Sequence, residues 1–237
     1  MRIFGTSFPR AGTHLLTAAF ARLGFATVAC PKLGLSVRVE ALQPALRPGQ
    51  VYAYGHWRAE PAAVAALREH GFQVIVLLRD PRDLCLSLAD FLRAGEPASL
   101  IAREPWIQAL DRRELVARLI TGTDLADFNG LPIARRCEGW IEWQDHGAVL
   151  LRYEALHDSA RRSASLAGLA ALGLDPAAFG ATLGACLGDR GGRTFNTGRA
   201  DRWREEFDDG LIALWNRHAR GVATRFGYEE CPGAAAA

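Results

Sequence analysis

The sequence is poor in lysine and carries little excess charge. Its basic side chains are nearly all arginine, Lys32 is the only lysine, and 28 basic residues face 26 acidic ones. Dedicated nucleic-acid binders usually carry a larger basic excess, so we expect no nucleic-acid partner. An apolar run of the about 18 residues that a membrane helix needs is missing, as is the apolar stretch of a secretory signal. These absences predict a cytoplasmic protein without a membrane span.

The cysteines show no ligand spacing. The five cysteines are odd in number, widely spaced and without a CxxC pair. A disulfide framework and a zinc centre are therefore not expected. We predict reduced, mostly buried thiols and no metal site.

The hydrophobic pattern indicates an α/β protein. The 237 residues are 49% hydrophobic, enough for a packed core. Predicted strands are Arg2–Thr6, Val51–Tyr54, Phe72–Leu78 and Ala148–Leu151, and predicted helices are Thr13–Leu23, Pro61–His70, one from Pro81, Ser159–Leu172 and Asp208–Phe226. Their alternation predicts a P-loop-like three-layer fold with a mostly parallel, doubly wound central sheet flanked by helices. We expect one domain over residues 1–230, a lid or acceptor-side excursion at 93–130, and a frayed tail at 231–237.

The first chemical motif is FPRAGTH, between the first strand and the first helix. Gly12 allows close backbone approach, and the amides of Ala11 to His14 would lie at the helix N-terminus, which attracts anions. Arg10 adds a forked cation and Thr13 a hydroxyl. The motif predicts a phosphate-binding loop, but the absence of GK[ST] excludes a Walker A loop.

Two further segments carry candidate phosphate ligands. In VIVLLRDPRDLCLSL, Arg79 follows a strand at its carboxyl end, where open α/β sheets bind ligands, and Ser87 lies about two helical turns later. The late segment RTFNTGRADRWREEF is rich in arginine and contains a glycine, a composition that suits closure over a phosphate. Its candidate residues are Asn196, Thr197, Gly198 and Arg199.

At these places the sequence resembles the sulfotransferases that use 3'-phosphoadenosine-5'-phosphosulfate (PAPS). FPRAGTHLL is similar to their 5'-phosphosulfate loop, and RDPRDLCLSLADF to their 3'-phosphate segment. RYEAL, preceded by GWIEWQDHGAVLL, and FNTGRADRWREEF are similar to two later segments of the family. The four segments follow the family order between residues 8 and 207.

The resemblance implies an activity and its residues. The sulfuryl group of PAPS would pass by in-line transfer to a hydroxyl or amine of a small-molecule acceptor, with adenosine 3',5'-bisphosphate (PAP) as product and no metal. His56, in VYAYGHWRAEP, corresponds to the family's general base, and an imidazole accepts protons near neutral pH. Arg10 would stabilise charge on the leaving group. The residues expected to bind the donor are Arg10, Ala11, Gly12, Thr13, His14, Arg79, Ser87, Tyr153, Asn196, Thr197, Gly198 and Arg199.

The sequence departs from the family pattern, and two other functions stay open. Arg10 replaces the loop lysine, Leu15 replaces a tryptophan, and Asn196 and Thr197 replace an arginine and a lysine. One alternative is a P-loop-like kinase, which would need a loop lysine and a carboxylate for magnesium. The other is a non-catalytic nucleotide-binding protein on the same fold.

Overall fold

The structure is a computed structural model that describes residues 1–30, 39–122, 130–188 and 199–233. The chain forms two compact units. The first comprises Met1–Arg79 and Gly139–Ala200, and it contains the β-sheet. The second comprises Asp80–Glu138 and Asp201–Ala237, and its described elements are helices. The single domain over residues 1–230 stays a prediction.

The first unit is built on five parallel strands. They are β1 (Arg2–Ser7), β2 (Ala26–Ala29), β3 (Val51–Gly55), β4 (Gln73–Leu78) and β5 (Val149–Arg152). Their order is β2-β3-β1-β4-β5, and all four pairings are parallel. The predicted α/β fold with a mostly parallel sheet is therefore confirmed. The strand that the sequence did not predict is β2, which has only four residues, alternates in burial and lies at an edge.

Each of the five predicted helices begins within one residue of a helix in the structure, which also contains helices that the sequence did not predict. In chain order the described helices are α1 (Thr13–Arg22), α2 (Pro61–Glu69), α3 (Pro81–Arg93), α4 (Ala98–Arg103), α5 (Arg112–Thr121), α6 (Ile133–Ile141), α7 (Tyr153–His157), α8 (Ser159–Leu166), α9 (Pro176–Gly188), α10 (Trp203–Glu206), α11 (Asp209–His218) and α12 (Val222–Arg225). Shorter 3-10 segments cover Val39–Ala45, Pro105–Ala109, Glu142–His146 and Ala167–Leu172. None of the helices in these ranges is long and apolar enough to cross a membrane.

Two predicted helices are shorter than expected. The one over 159–172 changes to 3-10 geometry after Leu166, and the one over 208–226 is interrupted before Gly221, whose φ is +78°. The segment 93–130, expected to be less regular, holds α4 and α5. An Asp111 capping box begins α5, and Gly122 ends it. The role of this segment as a lid or acceptor-side excursion stays a prediction.

The pleat of β1 sends neighbouring side chains to opposite faces of the sheet. On one face, Ile3 belongs to a buried cluster with Phe20 of α1 and Tyr52 of β3. The Phe20 and Tyr52 rings are stacked, with centroids 4.0 Å apart. On the other face, the Phe4 ring lies 4.7 Å from that of Trp57. The sheet is therefore covered by aromatic side chains on both faces.

The sheet topology brings several predicted site residues together at the carboxyl ends of the strands. The strand that follows β1 in sequence, β2, lies at one edge of the sheet, whereas the strand that follows β4, β5, lies at the other edge. The neighbours β1 and β4 therefore form the switch point where such folds bind ligands. Ser7 pairs in register with Leu77, Thr6 with Gly55, and Leu78 with Arg152. The residues that follow the ends of these four adjacent strands are Phe8, His56, Arg79 and Tyr153.

Gly5 provides a test of the packing between the central strands. A Cβ at Gly5 would lie 1.9 Å from the hydroxyl oxygen of Tyr52, which is fully buried. Gly5→Ala should therefore lower the free energy of unfolding by about 1–3 kcal/mol, the usual cost of overpacking. Urea denaturation followed by circular dichroism measures this change.

The control is Tyr52→Phe, which removes a buried hydroxyl that has no hydrogen-bond partner. Its free energy of unfolding should stay the same or rise, because no hydrogen bond is lost. An unchanged free energy of unfolding for Gly5→Ala would contradict this account of the close approach.

Candidate functional site

A tight turn connects β1 to α1. The amide of Ala11 donates to the carbonyl oxygen of Phe8 at 3.1 Å, and Pro9 occupies the second position of this turn. Arg10 has a φ of +74°, which the third position of a type II turn requires and which a non-glycine residue rarely adopts. Gly12 follows with a φ of +107°. The sequence-predicted loop is therefore a sharply folded connection rather than an extended one.

The loop leads into a helix end that is suited to an anion. The amides of Thr13 and His14 have no carbonyl partner within the helix, whereas that of Leu15 donates to the Gly12 carbonyl at 2.9 Å, and the N-cap residue Gly12 makes no side-chain cap. There is no acidic residue in the first turn. Thr13 contributes a hydroxyl that lies 2.5 Å from the hydroxyl of Ser7. Amides, helix dipole and hydroxyls together are suited to a phosphate-like group.

Tyr153 closes against this loop. A Cβ at Gly12 would lie 2.9 Å from Cδ2 of Tyr153 and 3.2 Å from Cδ2 of Leu77. Only a glycine leaves room for the ring here while also accepting the positive φ. The packing brings together two residues that sequence analysis assigned separately to the donor site.

Arg79 connects three of the predicted site segments. It is 6% exposed, and its two terminal nitrogens donate to the carbonyl oxygens of Arg10 and Arg199, each at 3.1 Å. Its guanidinium also lies 4.4 Å from the centre of the Tyr153 ring, a cation–π distance. These contacts hold a buried positive charge in one orientation beside the loop.

His56 is oriented by the backbone of β1. Its Nδ1 lies 2.8 Å from the carbonyl oxygen of Ser7, and because a carbonyl can only accept, Nδ1 carries the proton. Nε2 of the neutral ring is therefore the basic nitrogen. Burial lowers the pKa of His56, the Ser7 hydrogen bond opposes this, and repulsion from His14, where that ring is protonated, lowers it further. The net lowering keeps the ring neutral at pH 7.

The surroundings of His14 also favour the neutral form of its ring. Its pKa is lowered by partial desolvation and by the positive charge of Arg10. A neutral imidazole in the first turn of α1 can still donate a hydrogen bond, as the sequence analysis expected of a phosphate ligand.

His157 is a site neighbour that sequence reasoning missed. Its ring lies 4.3 Å from that of Tyr153, and its buried Nε2 has no hydrogen-bond partner. Burial and the charges of Arg79 and Arg162 lower the pKa of His157 to about 4. The only sequence signal was its position four residues after Tyr153.

Three tryptophans next to His56 in sequence or packed on its neighbours form a hydrogen-bond network with Thr6. The sequence analysis assigned no role to this network. The Thr6 hydroxyl donates to the carbonyl of Trp57 at 2.7 Å and accepts from the Trp57 amide at 3.0 Å and the Trp140 indole at 3.1 Å. The Trp143 indole donates to the same Trp57 carbonyl at 3.0 Å. This network fixes the carboxyl ends of β1 and β3.

Four predicted site residues lie outside the described part of the first unit. Ser87 lies in the second unit, where it is buried in α3. Asn196, Thr197 and Gly198 lie outside the described residues. Within the described ranges, no cluster of three or more His, Cys, Asp or Glu side chains could hold a metal ion.

Comparison with solved structures identifies the fold. The chain is similar to mouse sulfotransferase SULT7A1 complexed with PAP, with a TM-score of 0.65, 17% identity, and coverage of 96% of this chain and 88% of that one. It is also similar to retinol dehydratase with androsterone and inactive cofactor PAP, with a TM-score of 0.61, 12% identity and coverage of 94% and 81%. Retinol dehydratase with retinol and PAP gives a TM-score of 0.56, 14% identity and coverage of 94% and 82%. No protein-family model matches the sequence, and neither does any curated protein. The chain therefore has the sulfotransferase fold that its motifs predicted.

The lowered pKa of His157 predicts a pH-dependent stability. In the unfolded chain its pKa is about 6.5, whereas in the folded protein it is about 4. Between these values the unfolded state binds more protons, so the His157 contribution falls as pH falls from 6.5 toward 4. Relative to His157→Gln, the wild type should lose melting temperature between pH 7.5 and pH 5.

The control for this measurement is Gln144→Ala, an exposed substitution that changes no titratable group. Its melting-temperature difference from the wild type should be the same at both pH values. A His157→Gln difference that is equally independent of pH would show that His157 is not held neutral by its surroundings.

Proposed function

We propose that this protein is a sulfotransferase that moves the sulfuryl group of PAPS to a hydroxyl or amine of a small-molecule acceptor. The observation that carries the proposal is the double role of Ser7. Its carbonyl accepts from Nδ1 of His56, and its hydroxyl lies 2.5 Å from that of Thr13. A neutral base and an anion-binding helix end are thus attached to the same residue. The sulfotransferase fold supports this assignment.

Residues of the loop would hold the 5'-phosphosulfate. The first amides of α1, the Thr13 hydroxyl and the Arg10 guanidinium are the donors available to its oxygens, and Ala11 and Gly12 let the backbone approach closely. Donors aimed at the oxygen that gains charge lower the barrier more than they strengthen ground-state binding. Arg10 is therefore proposed as the group that stabilises the leaving phosphate.

Arg79 is proposed to bind the 3'-phosphate, and Tyr153 to contact the adenine. Two backbone carbonyls and the Tyr153 ring already orient the Arg79 guanidinium, so little side-chain entropy would be lost on binding. The assignments of Ser87, Asn196, Thr197 and Gly198 to the donor stay predictions, as does the assignment of Arg199.

His56 would act as the general base. The acceptor oxygen or nitrogen forms a bond to sulfur, the bond from sulfur to the 5'-phosphate oxygen breaks, and its electron pair stays on that oxygen. Nε2 of His56 takes the acceptor's proton. The Ser7 carbonyl then stabilises the resulting imidazolium through its hydrogen bond to Nδ1.

The nucleotide preference tests the donor site. PAP should bind more tightly than AMP, because a hydrogen bond to a charged group contributes about 1.5–3 kcal/mol, equal to about 10–150-fold in affinity. Isothermal titration calorimetry measures both dissociation constants. Arg79→Ala should remove most of the preference, whereas Arg68→Ala, on an exposed part of α2, should keep it. Equal affinities of the wild type for PAP and AMP would rule out this donor.

Substitution of His56 separates chemistry from binding. His56→Ala should lower turnover by about 10²–10⁴-fold, the usual contribution of a general base, and leave PAP affinity nearly unchanged. Because the pKa of His56 is lowered, turnover of the wild type should fall only as pH drops below about 6.5. The variant should lack this acidic limb. Near wild-type turnover in a variant that is folded by circular dichroism would assign the base elsewhere.

A further inference from the structure

Arg58 is a guanidinium without an assigned function beside the proposed base. It follows His56 by two residues, in the connection between β3 and α2. Its Nε is buried and has no hydrogen-bond partner. Arg58 as a whole is half-buried. Two buried arginines, by comparison, are paired with carboxylates: Arg82 with Asp80 at 2.6 Å and Arg202 with Asp90 at 2.9 Å. No ion pair between described residues includes Arg58.

The fold provides a defined seat for this side chain. A Cβ at Gly139 would lie 2.1 Å from Nε of Arg58 and 2.9 Å from its Cζ, so the guanidinium lies directly against the bare glycine backbone. The amide of Ala59 donates to the Gly139 carbonyl at 3.0 Å, which holds the connection on this seat. The position of the charged group is therefore determined by backbone contacts rather than by a carboxylate.

The seat is attached to the same framework as His56. Trp140, the residue after Gly139, donates from its indole to the Thr6 hydroxyl, and its ring lies 5.2 Å from that of Phe8. The same Thr6 hydroxyl binds the backbone of Trp57, between His56 and Arg58. Movements of the base and of Arg58 are thus restrained together.

A buried guanidinium donor without an acceptor destabilises the folded protein. Such departures from local consistency are expected where a function requires them. An arginine fork matches the two oxygens of a carboxylate or another oxyanion, and it binds them best where water is partly excluded. Arg58 is therefore chemically suited to bind an anion.

The topology separates Arg58 from the arginine proposed for the donor. Arg79 follows β4 on one side of β1, whereas His56 and Arg58 follow β3 on the other side. The base acts on the acceptor, so the β3 side is the acceptor side of the proposed reaction. Resting on that proposed function, we propose that Arg58 binds a carboxylate or similar oxyanion of the acceptor, and that the preferred acceptors are hydroxy or amino acids rather than neutral alcohols or amines.

The test compares acids with their neutral esters. The probes are 4-hydroxybenzoate and 4-aminobenzoate, each against its methyl ester, with labelled PAPS as donor. For the wild type, kcat/KM should favour at least one acid over its ester by about 10-fold or more, mainly through KM, since one charge-assisted bond contributes about 1.5–3 kcal/mol. Arg58→Ala should abolish this preference, and Arg58→Lys should restore part of it, because the charge returns without the fork.

Two further variants control for structural effects. Gly139→Ala should displace the guanidinium and reduce the preference in the same direction as Arg58→Ala. Arg68→Ala removes an exposed arginine of α2 and should leave both the acid preference and PAP affinity at wild-type values. An equal loss of kcat/KM for acid and ester in Arg58→Ala would overturn the proposal and make Arg58 a structural residue.

Measurements of acceptor binding, which need no turnover, test the anion site separately from the sulfotransferase activity. Titration of each acid and ester into the protein saturated with PAP measures acceptor affinity by calorimetry. Tighter binding of an acid, lost in Arg58→Ala, supports the anion site even when no product forms. Equal binding of acids and esters, or binding of neither, overturns the anionic-acceptor proposal, while the PAP affinity itself still reports on the donor site.

Discussion

The arrangement of the candidate site depends on one residue at the end of the central strand. Ser7 uses its carbonyl to select the tautomer of His56 and its hydroxyl to contact Thr13. Both interactions are made by groups on a strand that is hydrogen-bonded on both sides, so neither partner can drift without disturbing the sheet. The proposed base and the proposed anion-binding helix end are thereby held at a constant separation, which is what transfer between two bound molecules requires.

Glycine and arginine then set the geometry around this centre. Gly12 has no Cβ, so the Tyr153 ring approaches the loop, and the ring in turn supports the guanidinium of Arg79. Arg79 completes the arrangement by donating to the carbonyl of Arg10, whose left-handed backbone forms the turn. Close backbone approach and buried positive charge are both suited to a ligand that carries several phosphate or sulfate oxygens.

The second unit explains one motif in structural terms. Asp80 caps the amide of Arg82 and also forms a buried ion pair with its side chain, and the Arg82 guanidinium lies 3.6 Å from the centre of the Trp203 ring. Loss of one partner of such a pair would leave an uncompensated buried charge. The carboxylate that a kinase would offer to magnesium is thus engaged with an arginine, and RDPRD has a structural role inside this unit.

The sequence by itself determined the parts of the protein that are encoded locally. The apolar run of β4, the FPRAGTH loop and the helix that follows it each depend on residues within a few positions, so the hydrophobic period and the proline and glycine of the loop predicted them. The tertiary structure decided which distant residues meet. Thr6 bonds to Trp57 across 51 positions and to Trp140 across 134, and neither contact leaves a periodic signal in the chain. The neutral state of His157 and the seat of Arg58 on Gly139 were invisible for the same reason, since a pKa and a buried unpaired donor are properties of the packed environment and not of the residue type.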